Sequence, residues 1–254
     1  MTALHTDEYG HRQGPPLLAI HGVTAHGGRF ESLCSGPLAD YRTVAVDLRG
    51  HGDSLWIPPF GFDQHVRDLI DTLDAQSIER CAAIGHSFGG MLAMQLLAAA
   101  PERIERVVLL DPAIAMNGAT AAERAEATRS DTSFATLAEG IAEYLIGRPE
   151  STHAAATADA RDHIRQDSDG RFRLHYSRPA AICAWSDMAR LLPVSLPPRP
   201  ILLITAGREA FVTDALRASL PPHEEHVLDC GHIVYWECFD EVAELVGGFL
   251  RRAQ

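Results

Sequence analysis

Short apolar runs alternate with longer amphipathic segments over the first 112 residues of the chain. The longer segments predict helices that include residues 63–73 and 90–100, the second of which is closed by Pro101. Alternation of this kind favours an α/β fold with a parallel sheet and helices on both of its faces. The short runs are rich in branched side chains and predict strands over residues 17–20, 43–46, 81–84 and 107–110.

The alternation stops after Asp111 and Pro112. Residues 113–195 contain no convincing strand and are largely Ala-rich and helix-prone, as in "FATLAEGIAEYLIG". A buried strand in "PILLITAG", another in "HEEHVLDCGH" and a final amphipathic helix in "DEVAELVGGFLRR" follow. The sequence therefore predicts a core built from residues 1–112 and 196–254, interrupted by a mostly helical insertion at 113–195.

Composition and charge narrow the class of partner. The chain has 254 residues, of which 46% are hydrophobic, enough for one domain with a substantial core. It carries 34 acidic and 22 basic side chains, a net charge of −12, and every basic residue is arginine. A field of this sign repels phosphates, and no run of arginines forms a basic patch. We therefore expect no nucleic-acid partner and no anionic membrane partner.

The cysteines and the N-terminal residues bear on location and metal binding. The first residues lack a charged-then-apolar signal pattern, and no apolar stretch approaches the length of a membrane span. The cysteines are odd in number, scattered and without a C-x-x-C pair, which argues against a zinc site or a disulfide framework. We expect free thiols, a cytoplasmic location, no metal and no cofactor. The five residues are Cys34, Cys81, Cys183, Cys230 and Cys238.

A glycine-flanked serine lies where a predicted strand meets a predicted helix. The segment Gly85-His86-Ser87-Phe88-Gly89 fits the pattern G-x-S-x-G. It could be only a tight turn, but a strand before it and a helix after it are the context in which such a serine acts as a nucleophile. The flanking glycines fit this context, because side chains at those positions would collide with the strand and the helix.

A serine hydroxyl needs a base to take its proton and donors to stabilise the oxyanion that forms. Of thirteen histidines, His232 is the best placed, on a glycine-led loop between the last strand and the final helix. In "AIHGVTAHGG" the Val23 N–H follows a strand and can face the nucleophile. The Phe88 N–H at the start of a helix is the second expected donor, helped by the helix dipole.

Five segments together resemble the α/β-hydrolase superfamily, in the correct order along almost the whole chain. They are "HGVTAHGGRF", "VAVDLRGHGDS", "IGHSFGGMLAMQLLAAAPERIERVVLLDPA", "PILLITAG" and "CGH". Within that superfamily the chain is most similar to small carboxylesterase and lipase-like proteins of actinobacteria. The resemblance implies the α/β-hydrolase fold, a mostly parallel central sheet flanked by helices, with residues 113–195 as an inserted helical cap.

The resemblance also implies a triad of Ser87, His232 and an acid, for which two candidates stay open. Relatives usually carry the acid just after the penultimate strand, and an ungapped alignment of "ITAGREAFVT" puts Glu209 there. Some relatives supply it from the end of an earlier strand, which here is Asp111 in "RVVLLD". Either carboxylate could orient the imidazole and stabilise its protonated form.

The expected reaction is hydrolysis of a small carboxylic ester with an apolar acyl or alcohol group, through an acyl-enzyme. Cleavage of thioesters, lactones or carbon–carbon bonds on the same fold are alternatives. An alternative of another class is a ligand-binding protein with weak turnover, which would follow if neither acid reached His232. The residues expected to contact substrate are His21, Gly22, Trp56, Met116, Tyr144, Trp185 and Met188.

Overall fold

The computed structural model describes residues 3–192, 196–208 and 211–252 of the chain. Seven strands form one sheet, and a two-stranded antiparallel sheet pairs β6 (Ile164–Gln166) with β7 (Phe172–Leu174). The strands of the large sheet are β1 (Thr6–Gly10), β2 (Pro16–Ile20), β3 (Arg42–Val46), β4 (Cys81–His86), β5 (Ile104–Leu110), β8 (Ile201–Ala206) and β9 (Glu224–Leu228). Their order is β1-β3-β2-β4-β5-β8-β9, and β1 alone pairs antiparallel to its neighbour.

Ten α-helices lie in the described part of the chain, together with two short 3-10 helices at Gly27–Phe30 and Glu150–Thr152. None of them is long and apolar enough to cross a membrane. The helices are α1 (Glu31–Ser35), α2 (Phe62–Ala75), α3 (Phe88–Ala99), α4 (Gly118–Arg129), α5 (Leu137–Leu145), α6 (His153–His163), α7 (Arg178–Met188), α8 (Asp214–Ser219), α9 (Val234–Glu237) and α10 (Phe239–Arg251).

Apolar side chains are buried on both faces of the large sheet. On β2, Leu18 and Ile20 belong to the cluster that includes α2 and α3, whereas Leu17 and Ala19 belong to the cluster that includes α10. Alternate residues of a strand point to opposite faces, so a strand covered on both sides reads as a continuous apolar run. This burial explains why the short apolar runs predicted the inner strands correctly, and the predicted α/β fold is confirmed.

The structure corrects the sequence-based prediction at three strands. Strand β1 was not predicted, because its sequence "TDEYG" is polar. The strand lies at the edge of the sheet, where one side has no neighbouring strand. β6 and β7 lie within residues 113–195, where no strand was expected, so that expectation is wrong. Each is three residues long and carries charged side chains, too short for a period of two to show.

The segment between β5 and β8 is held to the core by hydrogen bonds. The His163 Nε2–H donates to the Thr24 carbonyl at 2.9 Å. The Ser177 N–H donates to the Gly50 carbonyl at 2.6 Å, and the Phe62 N–H donates to Asp187 Oδ2 at 3.0 Å. These bonds fix α6 and α7 against the loops after β2 and β3 and against the start of α2, so this segment can supply side chains to a site at that edge.

Candidate active site

Ser87 sits at the sharp turn between β4 and α3. Its backbone has φ 54° and ψ −118°, a left-handed conformation that is costly for any residue with a side chain. The surroundings hold it there: its N–H donates to Leu110 O at 3.1 Å, and its carbonyl accepts from Gly90 N at 3.0 Å and Ala113 N at 3.2 Å. Strain retained at a sharp turn between a strand and a helix is typical of a nucleophile elbow.

The two glycines of the motif permit a close approach of backbone segments. A Cβ on Gly85 would lie 2.3 Å from the Gly89 carbonyl oxygen, and a Cβ on Gly89 would lie 2.0 Å from the carbonyl oxygen of Ile20. Neither neighbour is a side chain that can move aside. Glycine is therefore required at both positions for β2, β4 and α3 to meet around Ser87.

His232 and Asp111 form a short side-chain contact at the same edge of the sheet. The His232 Nδ1 lies 2.5 Å from Asp111 Oδ2. The other oxygen of Asp111 accepts the Ala206 N–H at 3.1 Å, and Asp111 is 1% exposed. Because an ionised carboxylate only accepts, the Nδ1 carries the proton and the lone pair of Nε2 is left as the basic site.

Ser87 and His232 line one cavity of about 360 Å³. The His86 Nε2–H donates to the backbone carbonyl of His232 at 3.0 Å. The rings of His86 and Phe211 lie 4.6 and 4.4 Å from the imidazole of His232, so two rings contact it. In the described part of the chain Ser87 and His232 do not hydrogen-bond to each other, and such bonds often tighten only when substrate binds. The other lining residues are Gly22, Val23, Thr24, Arg29, His86, Arg124, Arg148, Trp185, Phe211 and Ile233.

The loop after β2 lies beside the serine. A Cβ built on Gly22 would be 3.0 Å from the Cβ of Ser87, which shows how closely the two backbones approach. Val23 lines the same cavity. Phe88 is the first residue of α3, so its N–H has no acceptor within the helix and lies at the positive end of the helix dipole. Two backbone N–H groups, from Val23 and Phe88, are thus available around the serine.

Three buried histidines fix this loop, a role that sequence reasoning missed. The His21 Nδ1–H donates to Gly22 O at 2.7 Å, and the Leu48 N–H donates to His21 Nε2 at 2.9 Å. The Thr24 N–H donates to His51 Nε2 at 3.2 Å, while the Thr24 carbonyl accepts from His163 at 2.9 Å. Thr24 has φ 59°, so these partners hold a strained residue beside the cavity.

Burial keeps these histidines neutral. Desolvation lowers the pKa of His21 to about 3 and holds the pKa values of His51 and His163 well below the ordinary 6.5. In the unfolded chain each imidazole binds a proton below about pH 6.5. Between the folded and unfolded pKa values the unfolded state therefore binds more protons, and stability falls as the pH falls.

We expect the free energy of unfolding to decrease from pH 7.5 to pH 5, by about 1.4 kcal/mol per pH unit for each such histidine below pH 6.5. Urea unfolding at pH 7.5, 6.5, 5.8 and 5.0 measures this free energy of unfolding. These pH values lie above the range in which carboxyl groups of ordinary pKa titrate. His163→Gln keeps a donor for the Thr24 carbonyl but removes the imidazole that titrates. The free energy of unfolding of this variant should therefore depend less steeply on pH, by about one proton bound on unfolding. A flat profile, or the same slope in the variant, contradicts this assignment.

The structure brings Gly22, Val23 and Trp185 to the cavity, but not five other residues expected to contact substrate. His21, Met116 and Met188 are buried, the two methionines in the apolar core beside α3. Tyr144 donates its hydroxyl to Asp159 at 2.5 Å, and Trp56 lines a separate groove of about 510 Å³ with Arg173 and Asp131. Glu209 lies outside the described residues.

Sequence reasoning also missed the charged part of the cavity wall. Arg29, Arg124 and Arg148 line it, whereas an apolar pocket was expected. Arg29 follows the glycines of "HGVTAHGGRF", but the other two come from the segment 113–195, far away along the chain. Isolated arginines in helix-prone or adjoining segments resemble solvated surface residues, so no local pattern pointed to them.

A separate group of potential metal ligands lies outside the cavity lined by Ser87 and His232. His5, Asp47 and Asp53 offer ligand atoms within 4.8 Å of one another. Both oxygens of Asp47 already accept hydrogen bonds, from Gly27 N at 2.8 Å and from Asp53 N at 2.9 Å. We therefore assign this group a structural role in joining the loops after β2 and β3.

The fold and this site define a class of protein, and sequence comparison agrees. The alpha/beta hydrolase family matches residues 17–245, and the chain belongs to this family. Lipase LipV of Mycobacterium tuberculosis is 35% identical over 253 residues, which cover 96% of each chain. Esterase YbfF of Escherichia coli is 27% identical, over 92% of each. A solved structure titled marine microorganism esterase has the same fold, with a TM-score of 0.81 at 18% identity over 98% of this chain and 100% of that one.

Proposed function

We propose that this chain hydrolyses carboxylic esters, with Ser87 as nucleophile, His232 as general base and Asp111 as the acid that orients it. The observation that carries the proposal is the 2.5 Å contact between Asp111 Oδ2 and His232 Nδ1, at a cavity that His232 shares with Ser87. Two relatives that match nearly the whole chain, named a lipase and an esterase, support the same reaction.

In the first half of the reaction the Ser87 Oγ attacks the ester carbonyl carbon and His232 Nε2 takes the hydroxyl proton. The carbonyl oxygen gains the negative charge, which the N–H groups of Val23 and Phe88 stabilise. The tetrahedral intermediate collapses, the bond to the alcohol oxygen breaks, and His232 returns the proton to the departing alcohol. Ser87 is left as an acyl ester.

In the second half a water molecule attacks the acyl carbon while His232 takes one of its protons. The same two N–H groups stabilise the second tetrahedral intermediate. Its collapse releases the carboxylic acid and returns the proton to Ser87 Oγ. Asp111 accepts the Nδ1–H throughout, so the imidazole keeps the tautomer whose Nε2 faces the reacting atoms.

The substrate in this proposal is a small-molecule ester, because the cavity of about 360 Å³ is near the lower end of ligand-site volumes. Apolar contact comes from Val23, Trp185, Phe211 and Ile233. We also keep the predictions of a cytoplasmic location and of no nucleic-acid partner. All five cysteines lie in the described residues and are unpaired, which supports a reducing compartment.

A p-nitrophenyl ester series tests the reaction and the cavity size together. We expect kcat/KM to be highest for acetate or butyrate and to fall at least about tenfold by laurate, since a long chain cannot be enclosed. Ser87→Ala supplies the background for every ester. Rates equal to that background with all esters would contradict the proposed reaction, and a maximum at laurate would contradict the short acyl site.

A further inference from the structure

The cavity that contains Ser87 and His232 is lined by three arginines, Arg29, Arg124 and Arg148, and by no carboxylate of residues 3–192, 196–208 and 211–252. The chain as a whole has the opposite balance, with 34 acidic and 22 basic side chains. Within a cavity, fixed charges of one sign raise the local concentration of ligands of the other sign. An arginine of this cavity is available to a ligand only if no carboxylate of the protein is paired with it.

Arg29 is already neutralised. Its Nε and Nη2 donate to the two oxygens of Asp159 at 3.1 and 3.0 Å, and Nη2 also donates to the Tyr144 hydroxyl oxygen at 2.6 Å. Its side chain is 7% exposed. This bidentate pair fixes the wall of the cavity, and its charge is balanced by the protein itself.

Arg148 is held in place but its charge is not balanced. Its Nε donates to the Tyr144 carbonyl at 2.7 Å, and its guanidinium lies 4.3 Å from the centre of the Tyr144 ring. No carboxylate in the described ranges forms an ion pair with it. It also lines a neighbouring cavity of about 160 Å³ together with His232, Ile233 and Glu237. Arg148 and Glu237 form no ion pair with each other in the described residues, and Glu237 instead lies 3.9 Å from Arg208.

Arg124 adds a second cation from helix α4. It too has no ion pair to a carboxylate of the described part. α4 is tied to α7 at this point, because the Trp185 indole N–H donates to Thr128 Oγ1 at 3.0 Å and the Thr128 hydroxyl donates to Arg124 O at 2.8 Å. The backbone of Arg124 is thereby held beside Trp185, which lines the same cavity.

We propose that this hydrolase selects esters that carry a carboxylate in addition to the scissile ester, with Arg148 as the principal specificity residue and Arg124 as the second. The proposal rests on the proposed function and deepens it. A guanidinium binds a planar carboxylate through two parallel N–H donors, and Arg148 is oriented before the ligand arrives. The aromatic wall of Trp185 and Phe211 would contact the apolar part of the same substrate.

Matched pairs of esters test this selectivity. In one pair the charge is on the acyl side, as mono-p-nitrophenyl adipate against its neutral terminal amide. In the other it is on the alcohol side, as 4-carboxyphenyl butyrate against 4-carbamoylphenyl butyrate. We expect the carboxylate member of at least one pair to have a kcat/KM higher by about tenfold, mainly through KM, at low ionic strength.

Variants separate this specificity from general effects of charge. Arg148→Gln should reduce the preference below about threefold, and Arg124→Gln should reduce it by a smaller factor. Arg12→Gln removes the same charge from an exposed turn outside the cavity and should leave the preference unchanged. Equal kcat/KM within both pairs, or a preference that survives Arg148→Gln, overturns the proposal.

The neutral esters keep the two proposals distinguishable. Hydrolysis of the two neutral esters by the wild type but not by Ser87→Ala would uphold the esterase reaction whatever the charge preference. Absence of hydrolysis of all four esters above the Ser87→Ala background would count against both proposals. Gel filtration and circular dichroism of the glutamine variants should match the wild type, since neither arginine is buried.

Discussion

Ser87→Ala is expected to lower kcat for p-nitrophenyl butyrate by about 10⁶. The substitution removes the proposed nucleophilic oxygen, which would form the acyl-enzyme, while the N–H groups of Val23 and Phe88 and the cavity remain. The alanine side chain fits the site, because Ser87 Oγ makes no hydrogen bond among the described residues that the fold would lose. Steady-state kinetics with product detection sensitive to the uncatalysed rate measures the effect.

Substitutions in a catalytic triad are not additive, because its residues act together, and the controls use this property. His232→Ala should cost a similar factor, and the double variant should be no slower than either single variant, because the base has no function without the nucleophile. Ser35→Ala, an exposed serine at the end of α1, should keep full activity. A Ser87→Ala rate within about a hundredfold of the wild type would show that another group attacks the ester.

Asp111→Asn is expected to lower kcat by about 10⁴. An amide of nearly the same shape can present its NH₂ to His232 Nδ1, which favours the wrong tautomer and removes the charge that stabilises the imidazolium. The contact at stake is the 2.5 Å pair of His232 Nδ1 and Asp111 Oδ2. The pH dependence of kcat/KM, measured beside wild type, separates loss of the base from loss of the fold.

Glu209→Gln is the matched variant for the other candidate acid. If Asp111 is the acid of the triad, Glu209→Gln should stay within a few-fold of the wild type in kcat. Collapse of kcat in Glu209→Gln together with full activity in Asp111→Asn would transfer the role to Glu209 and leave the reaction class unchanged.

The local part of the site could be predicted from sequence because its constraints are local. The strand, the turn and the helix around Ser87 lie in one continuous segment, and the glycines there answer to contacts within a few residues or with the adjacent β2. The order of the strands then placed His232 at the same edge. The family and the fold were predictable because five separate segments resembled the same family in the correct order.

The choice between the two candidate acids depended on distances that sequence spacing does not give. Asp111 follows β5 and Glu209 follows β8, two neighbouring parallel strands whose ends lie at one edge of the sheet. Asp111 has φ 41°, and its N–H donates to Ile204 O at 2.7 Å, which turns its carboxylate toward the loop after β9. This contact removes the premise of the weak ligand-binding alternative, that no acid reaches His232.

The pocket residues failed for a different reason. Met116 and Met188 were chosen as large apolar side chains, and packing of the inserted segment against α3 buries both in the core. Tyr144 was expected to contact an acyl group, but its hydroxyl is held by Asp159 and Arg29. Trp185 was expected and does line the cavity from this segment. Arg124 and Arg148 were missed because the packing of the segment, which sequence does not give, decides which surface side chain faces the site.

Covalent labelling of the wild-type protein with a fluorophosphonate, followed by peptide mass mapping, directly tests whether Ser87 is the nucleophile. We expect one adduct, on Ser87, formed in competition with butyrate ester, and no labelling at that rate in His232→Ala. An unlabelled Ser87, or an adduct on another residue that accounts for the lost activity, would contradict it.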